Sequence, residues 1–374
     1  MRRAFFIPLL CVILASPLAQ HSPAYALNSQ AGQLTVTPMA DGFQTPWSVG
    51  FLPDGSFLVT EREGRLWRVT PQGQRQQITG LPEIRVGGQG GLLDLLVPRD
   101  FDRTGEIIFS FAKPQGSGEG TAMAIARLSD DRTRLENLRL MFEMAPGSSG
   151  GRHFGGRIVE APDGALFLTI GDRGSPETAQ DLGNHNGTVV RINRNGTVPS
   201  DNPFVATAGA LPEIWSYGHR NAQGATLDGD GNLWLNEHGA RGGDEVNLVR
   251  AGANYGWPVI SYGRHYSGGK IGEGTAKEGM EQPALYWDPS MAPSGMAIYT
   301  GDLWPAWQGQ MFVGSLKFDY IARLDGDPLG STPLTEAERL SARETARVRD
   351  IRQAPDGSLW FISERRGTVY RVAP

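Results

Sequence analysis

Pro53-Asp54-Gly55-Ser56-Phe57-Leu58-Val59 is a tight turn running into a strand, and the chain repeats it as Pro162-Asp163-Gly164-Ala165-Leu166-Phe167-Leu168 and as Pro355-Asp356-Gly357-Ser358-Leu359-Trp360-Phe361. Proline fixes φ at the entry, Asp-Gly supplies the left-handed position, and the apolar run that follows has the composition of a buried strand. Asp228-Gly229-Asp230-Gly231-Asn232-Leu233-Trp234-Leu235 repeats the phrase without its proline, and weaker copies start at Thr104 and Gln308. Most copies lead to a second strand that closes on a basic-apolar pair: Arg68-Val69, Arg191-Ile192, Arg323-Leu324 and Arg371-Val372.

Each copy therefore reads as a hairpin within one repeated sheet. Small sheets arranged around an axis bury their faces against their neighbours and leave only short edges, so six copies predict an all-β chain folded as a six-bladed β-propeller with four-stranded antiparallel blades. The 50 glycines and 25 prolines are about a fifth of the 374 residues and are spread evenly, as many tight turns require. A β-sandwich with accidental Asp-Gly turns would not repeat the second strand as well. The spacing of the copies is uneven and in places exceeds the roughly 40–50 residues of compact propeller repeats. The excess is expected as long loops at 171–187, 239–295 and 328–347, gathered on one face over the central channel. Residues 335–342 have helical composition but are too few for more than a surface turn. No linker interrupts the pattern, so residues 27–374 read as a single catalytic domain.

Residues 1–26 read differently. Arg2 and Arg3, an apolar run over 4–15 and Ala24-Tyr25-Ala26 in small-x-small form have the pattern of a secretory signal peptide cleaved after Ala26. The apolar run is too short to span a bilayer comfortably. The mature chain is thus expected to be periplasmic or secreted, with no membrane span; Arg2-Arg3 and Phe5 leave twin-arginine export open beside general secretion. The sole cysteine, Cys11, leaves with the signal, so no disulfide is expected. Formal net charge is -5, and cleavage makes it more negative. With no Lys/Arg run or aromatic-basic module, nucleic acid is excluded as a partner.

Residues 215–258 concentrate the polar chemistry. His219 to Gln223 and Glu237 to Glu245 form two loops around a short apolar strand at 232–235, and a returning strand must bring them together. An imidazole, a guanidinium and an amide in His219-Arg220-Asn221 can hold a planar, oxygen-rich ligand. His219 also suits a purely structural network. Glu237-His238-Gly239-Ala240-Arg241-Gly242-Gly243-Asp244-Glu245 mixes carboxylates with flexible backbone, as hard cations such as Ca²⁺ prefer, although a turn capped by acids has the same composition. His153 lies between Gly150-Gly151 and Gly155-Gly156, which allow close approach by a ligand and suit a general base, or equally a solvated turn histidine. Arg347 and Arg349 share a strand face by the period of two, a costly pairing unless an anion lies between them. With Lys317 and Arg220 they predict a cationic pocket for a small polyanion.

Taken in order, Gly87-Gly88-Gln89-Gly90-Gly91-Leu92-Leu93, the His153 loop, residues 216–224, 237–248 and 254–258, Ser315-Leu316-Lys317 and Arg347-Val348-Arg349-Asp350 resemble motifs of the soluble pyrroloquinoline-quinone (PQQ) glucose and aldose sugar dehydrogenases, a six-bladed propeller family. The resemblance runs from about residue 45 to 372. It implies oxidation of the aldose C1 hydroxyl to a lactone, with PQQ and Ca²⁺ as cofactors and electrons leaving to an acceptor. It also implies His153 as general base and Gln89, Arg220, Asn221, Lys317, Arg347 and Arg349 as cofactor contacts. Tyr266 would lie over the cofactor, the Gly239 and Ala240 carbonyls would hold the catalytic Ca²⁺, and Glu245 and Tyr255 would hold a second one. Arg152 and Ala240 stand where the glucose-specific branch has an acid and a proline, which places the chain nearer the broader aldose branch. The alternatives are a calcium-dependent lactonase, which has no use for Lys317, Arg347 and Arg349 together, and a non-catalytic binding propeller, which would keep the blades and lose the pocket.

Overall fold

A computed structural model describes residues 24–374. Arg2, Arg3, Cys11, His21 and the apolar run of the leader lie outside the described residues. The expected cleavage after Ala26 falls within the first strand, Tyr25–Ser29, just ahead of its buried residue Leu27.

The fold is the predicted six-bladed propeller. Taken in chain order, blade one is built from Pro46–Phe51, Phe57–Glu61, Arg65–Val69 and Arg75–Ile78, and blade two from Leu92–Leu96, Glu106–Gln115, Gly118–Leu128 and Leu135–Glu143. Blade three comprises Ile158–Glu160, Leu166–Ile170, Thr188–Ile192 and Ile214–Tyr217, and blade four Ala222–Leu227, Leu233–Glu237, Asp244–Val249 and Leu285–Trp287. Blade five contains Pro293–Ile298, Met311–Ser315, Ile321–Asp327 and Thr332–Leu340. The sixth is closed from both ends of the chain: Val348–Gln353, Leu359–Ser363 and Thr368–Ala373 are followed by the N-terminal Gly32–Ala40 and then Tyr25–Ser29, a fifth strand that the repeat did not predict. The first strands of successive blades contact one another in a closed circle.

The alternation of each strand explains the core. Leu359 and Phe361 pack toward blade five, whereas Trp360 and Ile362 pack toward blade one. Leu166, Leu168 and Ile170 face blade two, and Phe167 faces blade four. Because period-two side chains point to opposite faces, a blade that is apolar on both sides makes six wedges of core rather than one.

The repeated phrase also carries a staple. The carboxylate of Asp54 accepts the Ser56 N–H inside the turn and the Arg68 guanidinium from the third strand, at 2.8 Å. Arg191 repeats this with Asp163, and Arg371 with Asp356 at 2.8 Å. In blade five the turn has no Asp, and Arg323 turns to Gln310 and Glu338 instead. The basic-apolar ending of the third strand is thus the partner of the turn, because each arginine lies opposite the second-strand residue that follows the turn aspartate: Leu58, Phe167 and Trp360.

Two expectations are corrected. Residues 335–340 are neither helix nor turn but most of the outer strand Thr332–Leu340, whose Glu336 and Glu338 hold Trp287 and Arg323, and only Ser341 and Ala342 follow it. The stretches expected as loops at 239–295 and 328–347 are not loop throughout, since they contain the strands Asp244–Val249, Leu285–Trp287 and Thr332–Leu340; the weak copy at Thr104 does lead into a strand, Glu106–Gln115, from the short helix Phe101–Thr104 through left-handed Gly105.

Candidate functional site

The turns of the repeated phrase lie at the end of each first strand, and the loops entering those strands gather at the opposite end, with Trp47, Leu93, Gly155 and Arg347 lining a common cavity of about 160 Å³. The two polar loops of blade four meet there because Ala222–Leu227 and Leu233–Glu237 are paired antiparallel, with Ala222 opposite Glu237. A second, larger cleft of about 440 Å³ adjoins it, since neighbouring residues divide between the two: His153, Arg220 and Ala240 line the cleft, Phe154, Asn221 and His238 the cavity.

His153 adopts a left-handed backbone, φ 53°. Its N–H donates to Gln89 Oε1 at 2.7 Å, and its Nδ1 lies 2.6 Å from Asp172 Oδ1. Its Nε2 makes no hydrogen bond among the described residues and lies on the wall of the cleft. Asp172 is fully buried; its other oxygen accepts the Trp257 indole N–H at 2.9 Å, and its own N–H donates to the Arg220 carbonyl. Although burial opposes ionisation, the His153 hydrogen bond and imidazole, the Gly174 N–H and Arg220 hold this carboxyl below the usual range. A carboxylate on Nδ1 fixes the tautomer that leaves Nε2 as the basic nitrogen. Asp172 escaped the sequence reading. Its signal was Gly171-Asp172-Arg173-Gly174, a polar Gly-flanked run directly after a repeat strand.

Arg349 and Arg347 do converge, but not as two residues of one strand: the strand begins at Val348, and Arg347 precedes it at φ 55°. The anion between them is Glu364, which accepts Arg347 Nε at 2.6 Å and Arg349 Nε at 2.8 Å. Arg349 also donates to Gln223 at 3.1 Å. Arg62, missed in the sequence, lines the same cavity and makes no ion pair among the described residues. Lys317 is not brought in: it is exposed, with its ammonium 4.9 Å from the Phe318 ring. Gln89 and Asn221 both line the cavity, and Asn221 Oδ1 accepts the Gly155 N–H at 3.2 Å.

Arg220 reaches the Gly239 carbonyl and, at 3.1 Å, that of His238; its Nε is buried without a partner among the described residues. Gly239 has no room for a side chain, since a Cβ would come within 2.1 Å of the Gly242 carbonyl. His238 donates Nε2–H to the Pro293 carbonyl, and burial pushes its pKa down to about 3, so it is a neutral wall. Asp244 fastens the Gly239 loop, accepting the Gly239 N–H at 2.9 Å and the Ala292 N–H at 2.9 Å. Glu245 lies in a small pocket with Glu237 and Tyr255; burial, then the charge of Glu237, push its carboxyl up to about 8. The Tyr255 hydroxyl is committed to the Leu248 carbonyl and the Arg250 N–H. Tyr266, 74 % exposed, stands at the rim of the larger cleft.

Ser216, His219 and Glu237 form a serine–histidine–carboxylate chain with contacts of 2.9 Å at both links. Ser216 and His219 are both 0 % exposed, so no substrate reaches the hydroxyl. The chain braces the Arg220 segment, whose N–H Glu237 accepts at 2.6 Å.

On a six-bladed propeller, the arginine-lined cavity suits an anionic ligand, and the histidine–aspartate pair beside it suits a general base. Residues 43–371 match the glucose/sorbosone dehydrogenase family, and the chain belongs to that family. It is 40 % identical to the aldose sugar dehydrogenase YliI of Escherichia coli K12, over all of this chain and 99 % of that one. It is 28 % identical to the quinoprotein glucose dehydrogenase B of Acinetobacter calcoaceticus, over 85 % of this chain and 83 % of that one. Among solved structures, the PQQ-bound aldose sugar dehydrogenase of Streptomyces coelicolor superposes with a TM-score of 0.74 at 26 % identity, covering 91 % of this chain and 98 % of that one. The chain is therefore an oxidoreductase of the sugar dehydrogenase class.

Proposed function

We propose that this protein oxidises the C1 hydroxyl of aldoses to the lactone with PQQ and Ca²⁺ as cofactors. The observation that carries the reading is the His153–Asp172 pair at the wall between an open cleft and a cavity lined by Arg62, Arg347 and Arg349.

The residues present fit the cofactor. A tricarboxylate answers the guanidiniums, the buried Nε of Arg220 lacks an acceptor, and the tight Gly239 loop offers backbone carbonyls to a hard cation. Gln89, Asn221, Arg220, Arg347 and Arg349 would hold PQQ, with Tyr266 over it. Gly239 and Ala240 would hold the catalytic calcium, and Glu245 with Tyr255 a second. Lys317 stays a proposed contact that its present side-chain position does not make. When bound, PQQ supplies a hydride acceptor and Ca²⁺ a Lewis acid.

The chain's own residues do the rest. The aldose enters the larger cleft, where Trp257 gives it a flat wall fixed by Asp172. His153 Nε2 takes the proton of the C1 hydroxyl, and Asp172 stabilises the imidazolium that forms. Arg220 faces the same cleft and steadies negative charge developing on the sugar oxygen. The leader, residues 1–26, would deliver the enzyme to the periplasm or outside the cell. No helix among the described residues is long and apolar enough to cross a membrane. An electron acceptor, unnamed by any residue, takes over the electrons.

The test is His153→Gln. Aldose-dependent dye reduction should fall by about 10²–10⁴-fold while the protein still takes up PQQ; a variant of near-normal rate would remove His153 from the mechanism.

A further inference from the structure

We propose that Arg173 is a positioning residue for the base, an inference that rests on the role of His153 given above. Arg173 is almost wholly buried and left-handed, φ 54°. Its guanidinium grips the His153 loop on both sides of the imidazole. One Nη donates to the Arg152 carbonyl, and the plane lies 3.4 Å from the centre of the Phe154 ring. The other Nη pairs with Glu119 at 3.0 Å, and the same Glu119 oxygen accepts the Gly151 N–H at 3.2 Å.

The peptide unit joining Arg152 to His153 is thereby held at both ends, its carbonyl by Arg173 and its N–H by Gln89. A non-glycine residue in the left-handed region stays there only if its surroundings fix it. Here the imidazole is fixed by Asp172 and the backbone beneath it by Arg173, consecutive residues of one loop. A shorter or singly donating side chain would not reach the carbonyl, the carboxylate and the ring together, which is what the planar fork of arginine allows. Burial, opposed by Glu119, brings its pKa to about 10, so the guanidinium stays charged at neutral pH. Its Nε has no partner among the described residues.

The experiment compares Arg173→Met, Arg173→Lys and Glu119→Gln with the parent enzyme, each reconstituted with PQQ and Ca²⁺. Steady-state rates are measured on a C1-protiated and a C1-deuterated aldose. Arg173→Met should lower kcat about 10- to 100-fold, as displacement of a catalytic group does, with KM and PQQ uptake nearly unchanged. The deuterium isotope effect on kcat should rise as the chemical step becomes limiting. Arg173→Lys should recover part of the loss, and Glu119→Gln should show the same change in smaller measure. If Arg173→Met does not fold, the Glu119→Gln isotope effect decides. An unchanged kcat, or a lower one with an unchanged isotope effect, overturns the inference. His153→Gln run alongside separates the two failures: if it keeps its rate, the base itself is wrongly assigned; if it is inactive while Arg173→Met is normal, only Arg173 is.

Discussion

At the scale of single residues, Glu364 shows how a cationic pocket is kept folded before any ligand arrives. Burial works against its ionisation, but Arg349 and Arg347 more than offset it and hold the carboxyl at about 2. An unfolded glutamate titrates near pH 4.3. The depressed folded value means that the ion pairs stabilise the protein fully above about pH 4.3 and lose that contribution as pH falls toward 2. Glu364→Gln should therefore cost on the order of 3 kcal/mol at pH 7. The gap to the parent should narrow steadily below pH 4, which urea midpoints at pH 7, 4 and 3 would show. The sequence announced the two arginines but not their partner, since Glu364 lies after the next strand and nothing local marks a carboxylate as a bridge. Asp172 carried a local mark in its Gly171-Asp172-Arg173-Gly174 run, but nothing local paired it with His153. His153 and Arg220 were visible because several unusual residue types crowd into short Gly-rich runs, whereas a lone acid in a loop looks like solvent-facing surface. Lys317 shows the converse: its neighbour Leu316 lines the cavity while its own ammonium rests on Phe318 outside.

At the scale of elements, the hairpin phrase was legible in full because its physics is local. Proline, Asp-Gly and an alternating apolar run need no distant partner, and the structure adds only that the turn aspartate is stapled to the third-strand arginine. Such exposed pairs are worth little, so Arg371→Ala should lower stability by about 1 kcal/mol or less, measured by thermal melting. The strand Thr332–Leu340 was misread because Glu, Ala and Arg favour helix, and here pairing with Ile321–Asp327 overrides propensity. The Gly239 loop makes a sharper forecast. A Cβ at residue 239 would meet the Gly242 and Gly243 carbonyls at 2.1 and 2.4 Å, so Gly239→Ala must shift the loop. The variant should need at least about tenfold more Ca²⁺ for half-maximal activity, the range seen when the support of a metal ligand is lost. Calorimetric titration of the metal-free protein with Ca²⁺ checks it; unchanged affinity would take the Gly239 and Ala240 carbonyls out of the metal site.

At the scale of the molecule, two devices close the ring. Gly32–Ala40 pairs with Thr368–Ala373, so the two ends of the chain share the sixth blade. On the axis, Arg157 is buried against Asp94 at 2.9 Å and Asp350 at 2.8 Å, Arg352 joins both acids, and Arg157 Nε reaches the Gln223 carbonyl in blade four. Removing one member strands the others as buried, unpaired charge. Arg157→Met should therefore destabilise by about 3–5 kcal/mol, visible as a lower thermal midpoint. The ring could be counted from the sequence, but its axial lock could not, because its members are spread over blades two, three, four and six and each alone resembles an ordinary strand residue. The central claim is that the ring gathers guanidiniums, a carbonyl-lined loop and a histidine–aspartate pair to hold a quinone beside a sugar. It is tested most directly by adding PQQ and Ca²⁺ to the purified chain and following dye reduction with and without an aldose. Stoichiometric, calcium-dependent uptake of PQQ is expected, with dye reduction only when sugar is present. A chain that folds and binds Ca²⁺ yet takes up no PQQ, or that hydrolyses lactones without it, is no quinone-dependent sugar dehydrogenase.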